Sequence, residues 1–199
     1  MQEIINILLK QAANMTWLEV VAVVFGLLSV WYSKQENILV YPTGMLSVLI
    51  YVYITFQYKL YADMGINGYY FIMSVYGWYH WTSNTGEKSQ IPITTNSLKE
   101  NLVAISVFLG AFLIVRFGLG FTDSDVLNWD SFTTATAIAG MWLMARKKLE
   151  NWVAWIITDI VAVPLYWYKG LMLTSFQFFV FTILATMGYI EWSKRLRAN

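Results

Sequence analysis

The sequence predicts an all-α integral membrane protein with seven transmembrane helices, arranged as two parallel three-helix bundles joined by a linker helix (3+1+3). Three observations carry this prediction: the composition, the number of long apolar segments, and a weak internal repeat. Of the 199 residues, 58% are hydrophobic and 13% are charged. Soluble domains have about 45–50% apolar and about 25% charged residues. The composition therefore disfavours a soluble enzyme, a disordered chain and a nucleic-acid binder.

Seven segments have the apolar character of a membrane-spanning helix, which needs about 20 residues. They run Met15–Ser33, Ile38–Tyr58, Ile66–Thr82, Leu98–Leu119, Ser131–Ala145, Trp152–Tyr168 and Leu171–Trp192. The chain accordingly divides into an interfacial N-terminal segment (1–14, with a short helix at Met1–Gln11), a first three-helix bundle (15–82), a cytoplasmic loop (83–97), the linker helix (98–119), an extracytoplasmic loop (120–130), a second three-helix bundle (131–192) and a basic cytoplasmic tail (193–199). The two loops are polar, and the first contains the Gly and Pro typical of a loop.

The distribution of lysine and arginine predicts the orientation. One side of the membrane receives four of these residues, at positions 10, 59, 116 and 169, and the other side receives nine. The positive-inside rule places the side with nine in the cytoplasm. The N-terminus is therefore expected outside and the C-terminus inside the cytoplasm.

An internal repeat predicts how the helices are grouped. A shift of 114 positions places Gly26 on Gly140 and Lys34 on Lys148, and a shift of 111 places Gly77 on Gly188 near the end of each half. Each half then holds three passes, and the fourth segment restores the direction of the chain. Two parallel halves follow, as in the SWEET sugar facilitators, with a site expected between them near the membrane midplane.

The sixth segment carries the strongest candidate site. Trp152, Trp155 and Asp159 are spaced three and four residues apart, so they share one face of a helix. A carboxylate inside the membrane costs about 2.5–3.5 kcal/mol on insertion scales, and such a residue usually marks a binding site or pathway. Two indole faces beside a carboxylate suit a flat aromatic cation. The alternative for the tryptophans is an aromatic belt at the membrane surface.

Four further residues complete the predicted binding set. Asn67 and Gln177 occupy roughly equivalent places in the two halves, where they would read an amide or hydroxyl or else join two helices. Asn151 and Tyr41 are assigned to the same site, although Asn151 would alternatively cap a helix after a charged turn. Neither catalytic residues nor metal ligands are expected, since the chain has no cysteine and His80 is its only histidine. No cofactor is expected either.

Several longer motifs resemble the PnuC family of bacterial nicotinamide riboside transporters. They are the NWVAW sequence at 151–155, the KG turn at 169–170, GYIEW at 188–192, and, in the first half, KLYAD and YGWYHW at 59–63 and 76–81. The resemblance implies a homotrimer of the 3+1+3 fold and facilitated diffusion of nicotinamide riboside without a coupling ion. It also implies that a cytoplasmic kinase traps the substrate by phosphorylation, without direct contact with the transporter.

The resemblance also assigns site residues. Trp152 and Trp155 match the family's substrate-stacking WxxW pair, and Asp159 matches a position that carries Asn or Asp near the ligand. Asn67 stands where a Gln is usual, and Gln177 varies within the family. The sequence leaves thiamine open as the substrate, because it is also a flat aromatic cation. A membrane receptor that only senses its ligand is the alternative from another class, and an enzyme is not expected.

Overall fold

The computed structural model describes residues 2–83, 91–122 and 125–198, which form an all-helical chain. In order, its helices are α1 (Gln2–Ala13), α2 (Trp17–Lys34), α3 (Val40–Gln57), α4 (Tyr61–Thr82), α5 (Leu98–Leu119), α6 (Leu127–Ala145), α7 (Asn151–Tyr168) and α8 (Met172–Ala198). Parts of both predicted loops, residues 84–90 and 123–124, lie outside the described residues.

Local sequence signals explain where two of the long helices begin. Thr16 caps α2 and Ser97 caps α5, and in both cases a glutamate three residues later completes a reciprocal pair of hydrogen bonds. The backbone N–H of Ser97 donates to Glu100 Oε2 at 2.8 Å, and the N–H of Glu100 donates to Ser97 Oγ at 3.3 Å. Such capping boxes satisfy N–H groups that the first helical turn leaves without partners.

Three predicted segments differ from the helices by more than two residues at one end, and the other differences are of one or two residues. The linker segment coincides with α5, but α4 begins at Tyr61 and α6 at Leu127, several residues before the predicted starts. Each early start brings an aspartate, Asp63 or Asp130, into the first turn of its helix. A carboxylate there is stabilised by the helix dipole, although it interrupts an apolar run. At the other end of the chain, α8 continues through the predicted tail to Ala198.

Four of the described helices, α2, α3, α5 and α8, are long and apolar enough to cross a membrane. Helices α4, α6 and α7 have comparable lengths but are not among these four, and α4 and α7 carry Asn67 and Asp159 within them. The seven-pass arrangement therefore stays a prediction.

The helices pack in two groups that follow chain order. In the first half, α2 packs on α3 and α3 on α4; in the second half, α6 packs on α7 and α7 on α8. The halves meet where α2 contacts α8 and where α4 contacts α6, while α5 lies against α6 and α1 against α8. Helix α5 has no buried residue along its length.

A single shift of 111 positions relates the helices of the two halves. Under this shift Val40–Gln57 falls on Asn151–Tyr168, and the first residue of α4 falls on the first residue of α8. The turns correspond as well, since Glu36 and Lys147 both have a positive φ, of 60° and 59°. The helices therefore do not follow the shift of 114 that Gly26 and Gly140 predict. That shift matches residue types, whereas the helix bounds and turn conformations of the two halves correspond under the shift of 111.

Reciprocal hydrogen bonds join the halves at one end. The indole Nε1 of Trp81 donates to the carbonyl of Met144 at 3.2 Å, and Nε1 of Trp192 donates to the carbonyl of Ser33 at 3.0 Å. Both pairs of partners, 81 with 192 and 33 with 144, are related by the same shift of 111. Each half therefore contacts the end of the first helix of the other half in an equivalent way.

A buried ion pair lies beside these hydrogen bonds. Lys147 has a side chain that is 1% exposed, and its ammonium group lies 2.6 Å from a Glu36 carboxylate oxygen. It also donates to the carbonyl of Ile91 at 2.6 Å and lies 4.8 Å from the Trp81 ring centroid. The second Glu36 oxygen pairs with Arg195 at 3.1 Å. Glu36 thus links the first half to cations from both ends of the second half.

Candidate functional site

A cavity of about 530 Å³ lies between the two halves. Residues from α2, α3, α4, α6, α7 and α8 line it, whereas none of the described residues of α1 or α5 does. The lining is apolar over most of its area, and twelve Ser, Thr, Asn, Gln and Asp side chains are interspersed among its aliphatic and aromatic residues. Apolar walls with convergent polar groups are usual for a small-molecule site. Its polar and aromatic members include Ser47, Tyr51, Asp63, Asn67, Tyr70, Trp152, Trp155, Thr158, Asp159, Tyr166 and Gln177.

The cavity is closed at one end and open at the other. At the end formed by the C-termini of α2 and α6, the lining residues Ser33, Val40, Met144 and Trp152 are all buried. At the end formed by the start of α4, the lining residue Asp63 is exposed. The closed end is the one that holds the reciprocal tryptophan hydrogen bonds and the Lys147 ion pair.

Asp159 is the most distinctive side chain in the cavity. It lies near the middle of α7, is 3% exposed, and lines the cavity. Among the described residues its carboxylate has neither a hydrogen-bond donor nor an ion-pair partner. Buried charges are normally paired, since desolvation without a partner is costly. An uncompensated carboxylate at a cavity wall is therefore suited to a cationic ligand.

The two predicted tryptophans both line the cavity but differ in their surroundings. Trp155 is half-buried, and its ring packs over Gly140, where a Cβ would lie 3.3 Å from it. Trp152 is 1% exposed and packs edge-to-face on Trp192 at a centroid distance of 5.5 Å. It also fills the space beside Gly188, where a Cβ would come within 2.5 Å of the indole. Trp155 is thus the more accessible ring and Trp152 the more rigidly held one.

The two predicted amide side chains are also brought to the cavity. Asn67 Nδ2 donates to the backbone carbonyl of Asp63 at 2.9 Å, which orients its amide within α4. Gln177 forms no hydrogen bond with the described residues, so both ends of its amide are available to a ligand. The geometry therefore groups five predicted residues, Asn67, Trp152, Trp155, Asp159 and Gln177, around one space.

Tyr41 and Asn151 do not line this cavity. Asn151 Nδ2 donates to the carbonyl of Lys148 at 2.6 Å, within the turn that precedes α7. Tyr41 packs edge-to-face on Trp81 at 5.2 Å and fills the space beside Gly77. Tyr41 is related to Trp152 by the shift of 111, so the two rings occupy equivalent packing positions in the halves.

Sequence reasoning missed several lining residues, among them Asp63, Tyr51 and Tyr70. The available signal was the repeat. Under the shift of 111, Tyr51 corresponds to Ala162 and Tyr70 to Phe181, and all four line the cavity. The site is therefore built from equivalent positions of both halves, with polar residues placed differently in each. Within the described parts of the chain, no group of three or more acidic or histidine side chains converges to hold a metal ion.

Comparisons with known proteins agree with this geometry. The nicotinamide riboside transporter PnuC of Escherichia coli (strain K12) is 28% identical over an alignment 210 residues long. The alignment covers 92% of this chain and 88% of that protein. The riboflavin/roseoflavin transporter RibM of Streptomyces davaonensis is 24% identical over 190 residues, covering 94% of this chain and 89% of RibM. The crystal structure of the vitamin B3 transporter PnuC superposes with a TM-score of 0.71 at 24% identity, covering 98% of this chain and 90% of that one. The family model described as nicotinamide mononucleotide transporter matches residues 16–194. The chain therefore belongs to this family of membrane transporters, which confirms the predicted resemblance.

Proposed function

We propose that the chain carries nicotinamide riboside across the bacterial cytoplasmic membrane by facilitated diffusion. The observation that carries the substrate assignment is Asp159, a buried carboxylate without a hydrogen bond or ion pair among the described residues, in an aromatic cavity. Nicotinamide riboside has a permanently cationic pyridinium ring, which would place its charge against this carboxylate. Two of the similar proteins are named nicotinamide riboside transporters, which supports this substrate.

The remaining lining residues fit the rest of this molecule. The half-buried ring of Trp155 offers a face for stacking and cation–π attraction with the pyridinium. The amides of Asn67 and Gln177 offer donors and acceptors to the carboxamide and ribose hydroxyls. The cavity volume of about 530 Å³ is within the range of about 300–1,000 Å³ that small-molecule sites span.

The proposed mechanism needs no coupling ion. Apart from Asp159, the acidic side chain at the cavity is Asp63 at the open end, so the described lining contains no chain of acidic and histidine groups like a proton relay. Uptake would become one-way through phosphorylation by a cytoplasmic kinase, since a phosphorylated product carries negative charge that Asp159 would repel. A kinase that acts in this way needs no contact with the transporter.

The proposed membrane arrangement has α2 to α8 as seven passes in the 3+1+3 order, with the N-terminus outside. The lysine and arginine distribution supports this orientation, and it makes the closed end of the cavity cytoplasmic. We also propose a homotrimer. The exposed apolar residues of α5, such as Leu109, Leu113 and Ile114, support a surface that faces lipid or other copies.

The substrate assignment is tested by isothermal titration of the detergent-purified protein with nicotinamide riboside, thiamine and riboflavin side by side. Thiamine is the alternative cation, and riboflavin is included because RibM is a relative. Binding of nicotinamide riboside alone is the expected result. Tight binding of riboflavin alone would contradict the role of Asp159, because that ring system carries no permanent positive charge.

The mechanism is tested by uptake into proteoliposomes with and without an imposed proton or sodium gradient. We expect the initial rate to depend on the substrate gradient alone. A strict requirement for an ion gradient would contradict facilitated diffusion, and binding without any uptake would favour the receptor alternative.

A further inference from the structure

We infer that Asp63 is an entry-side carboxylate that attracts the cationic substrate into the cavity before it reaches Asp159. The inference deepens the proposed function and rests on it. Asp63 lies in the first turn of α4 and lines the same cavity as Asp159. Asp63 is exposed and Asp159 is buried, so the two carboxylates mark the open end and the interior of one continuous space.

The charges around Asp63 leave it without a partner of its own. The positive charge of Lys169 attracts the Asp63 carboxylate, and the negative charge of Asp130 repels it. The ammonium group of Lys169, however, is held by Asp130 Oδ1 at 2.6 Å. Asn67 donates to the backbone carbonyl of Asp63 and not to its carboxylate. Among the described residues, the Asp63 carboxylate therefore has neither a hydrogen bond nor an ion pair, and the group of Asp63, Asp130 and Lys169 carries one net negative charge.

A charge at this place has a defined effect on a cation that enters from solvent. A cleft with low-dielectric walls focuses the field of the charges at its mouth, which raises the local concentration of an oppositely charged ligand and its association rate. The effect weakens as salt screens the exposed charge. Asp63 would thus favour cationic over uncharged substrates of the same shape. Its contribution would be confined to the entry step.

Asp63 also has a structural role that the test must separate. A carboxylate in the first turn stabilises α4 through the helix dipole. Asparagine is nearly isosteric but uncharged, so Asp63→Asn retains the shape and removes both electrostatic effects. A pair of probes distinguishes them: nicotinamide riboside, which is cationic, and its dihydro form, whose ring is uncharged. A weakened helix would affect both probes, whereas a lost entry charge would affect only the cation.

The experiment measures initial uptake into proteoliposomes at subsaturating substrate and at low and high salt. For Asp63→Asn we expect the nicotinamide riboside rate to fall roughly two- to five-fold at low salt, with the difference shrinking at high salt, and the dihydro rate to stay at the wild-type level. Asp63→Glu keeps the charge and should retain most of the cation rate. Asp125→Asn is the matched control, since Asp125 is exposed near the end of α7, next to Tyr168, and does not line the cavity.

Three results would overturn the inference. They are an equal loss for both probes, an unchanged cation rate in Asp63→Asn, and a loss in Asp63→Glu as large as in Asp63→Asn. The proposed function fails differently, through a wild-type protein that does not take up nicotinamide riboside. If the wild type carries thiamine instead, the same comparison is made with thiamine at low and high salt. If it carries only uncharged molecules, both the proposed function and the inference are wrong.

Discussion

Trp155 and Asp159 lie one helical turn apart on α7, and the surroundings of each leave its functional group free. Gly140 gives the Trp155 ring room to lie against α6 while it stays half-buried at the cavity. The Asp159 carboxylate has neither a hydrogen bond nor an ion pair with the described residues, although it is buried. A protein can retain a group that lowers its stability when that group is needed for binding.

Removal of the Trp155 ring should weaken binding without unfolding the protein. For Trp155→Ala we expect a loss of roughly 1–2 kcal/mol in the binding free energy of nicotinamide riboside, the range of a partly desolvated cation–π contact. Trp155→Phe should lose less, since it keeps an aromatic face. Titration calorimetry measures both, with Trp167→Ala as control because Trp167 is 48% exposed on the same helix and does not line the cavity. Unchanged affinity in Trp155→Ala would place the ring in the packing and not in the site.

Asp159→Asn should change stability and binding in opposite directions. In the ligand-free protein the substitution removes a buried charge without a described partner, so we expect a higher temperature of thermal unfolding. Binding of the cation should weaken by about 1.5–3 kcal/mol, the usual strength of an interaction with a charged group. Tryptophan fluorescence during heating and titration calorimetry measure the two effects. Lower stability together with unchanged affinity would contradict the role that we assign to this carboxylate.

At the scale of helices, apolar runs and turn residues predicted most of the bounds. Helix α5 coincides with its predicted segment, and α7 differs by one residue. The starts of α4 and α6 lie before the predicted ones, because Asp63 and Asp130 interrupt the apolar runs although a carboxylate suits the first turn of a helix. The sequence could not predict that Tyr41 and Asn151 lie away from the cavity, because their positions depend on how the two halves pack.

Gly188 tests how closely α7 and α8 must approach. An added Cβ would lie 2.5 Å from the Trp152 indole, a distance that forces the ring or the helix to move. For Gly188→Ala we expect a destabilisation of about 1–3 kcal/mol from overpacking, and weaker substrate binding because Trp152 lines the cavity. Gly110→Ala on α5 is the matched control, because no atom lies within 4 Å of the added Cβ there. Thermal unfolding and calorimetry compare the two variants, and equal behaviour would contradict the close packing.

The ion pair at the closed end provides a second test at this scale. Glu36→Gln leaves the Lys147 ammonium group, which is almost fully buried, without an anionic partner among the described residues, beside the carbonyl of Ile91 and the Trp81 ring. Removal of one partner of a buried pair typically costs about 3–5 kcal/mol. We therefore expect a clear drop in the unfolding temperature. The double variant Glu36→Gln with Lys147→Met should recover part of it, since no unpaired charge remains. A double variant less stable than the single one would contradict this explanation.

For the whole molecule, the repeat was predicted but its register in the first part of each half was not. Lys34 and Glu36 match Lys148 and Glu150 by residue type, which suggested a shift of 114. The structure instead relates Glu36 to Lys147, because both adopt a left-handed backbone conformation in the turn. Residue identity is a weak guide here, since the two positions carry opposite charges that attract each other across the interface.

The reciprocal hydrogen bonds of Trp81 and Trp192 allow the two halves to be compared in one measurement. Phenylalanine keeps an aromatic ring but removes the indole N–H, which donates at 3.2 Å in one half and at 3.0 Å in the other. Trp192→Phe should lower stability by about 1–3 kcal/mol, because it leaves a buried carbonyl acceptor without this donor. Trp81→Phe should cost more, since the Lys147 ammonium group also lies 4.8 Å from that ring and a cation is attracted more weakly by Phe than by Trp.

The excess loss in Trp81→Phe should disappear when the cation is absent. In a background that carries Glu36→Gln and Lys147→Met, we therefore expect the two tryptophan substitutions to cost similar amounts, as equivalent positions of a repeat should. Trp17→Phe is the control, because Trp17 is 72% exposed at the start of α2. Thermal unfolding in detergent measures all variants on the same scale. If Trp81→Phe and Trp192→Phe still differ in this background, the two halves contribute unequally to the closed end. If the two losses are already equal in the native background, the cation–π contact adds no stability.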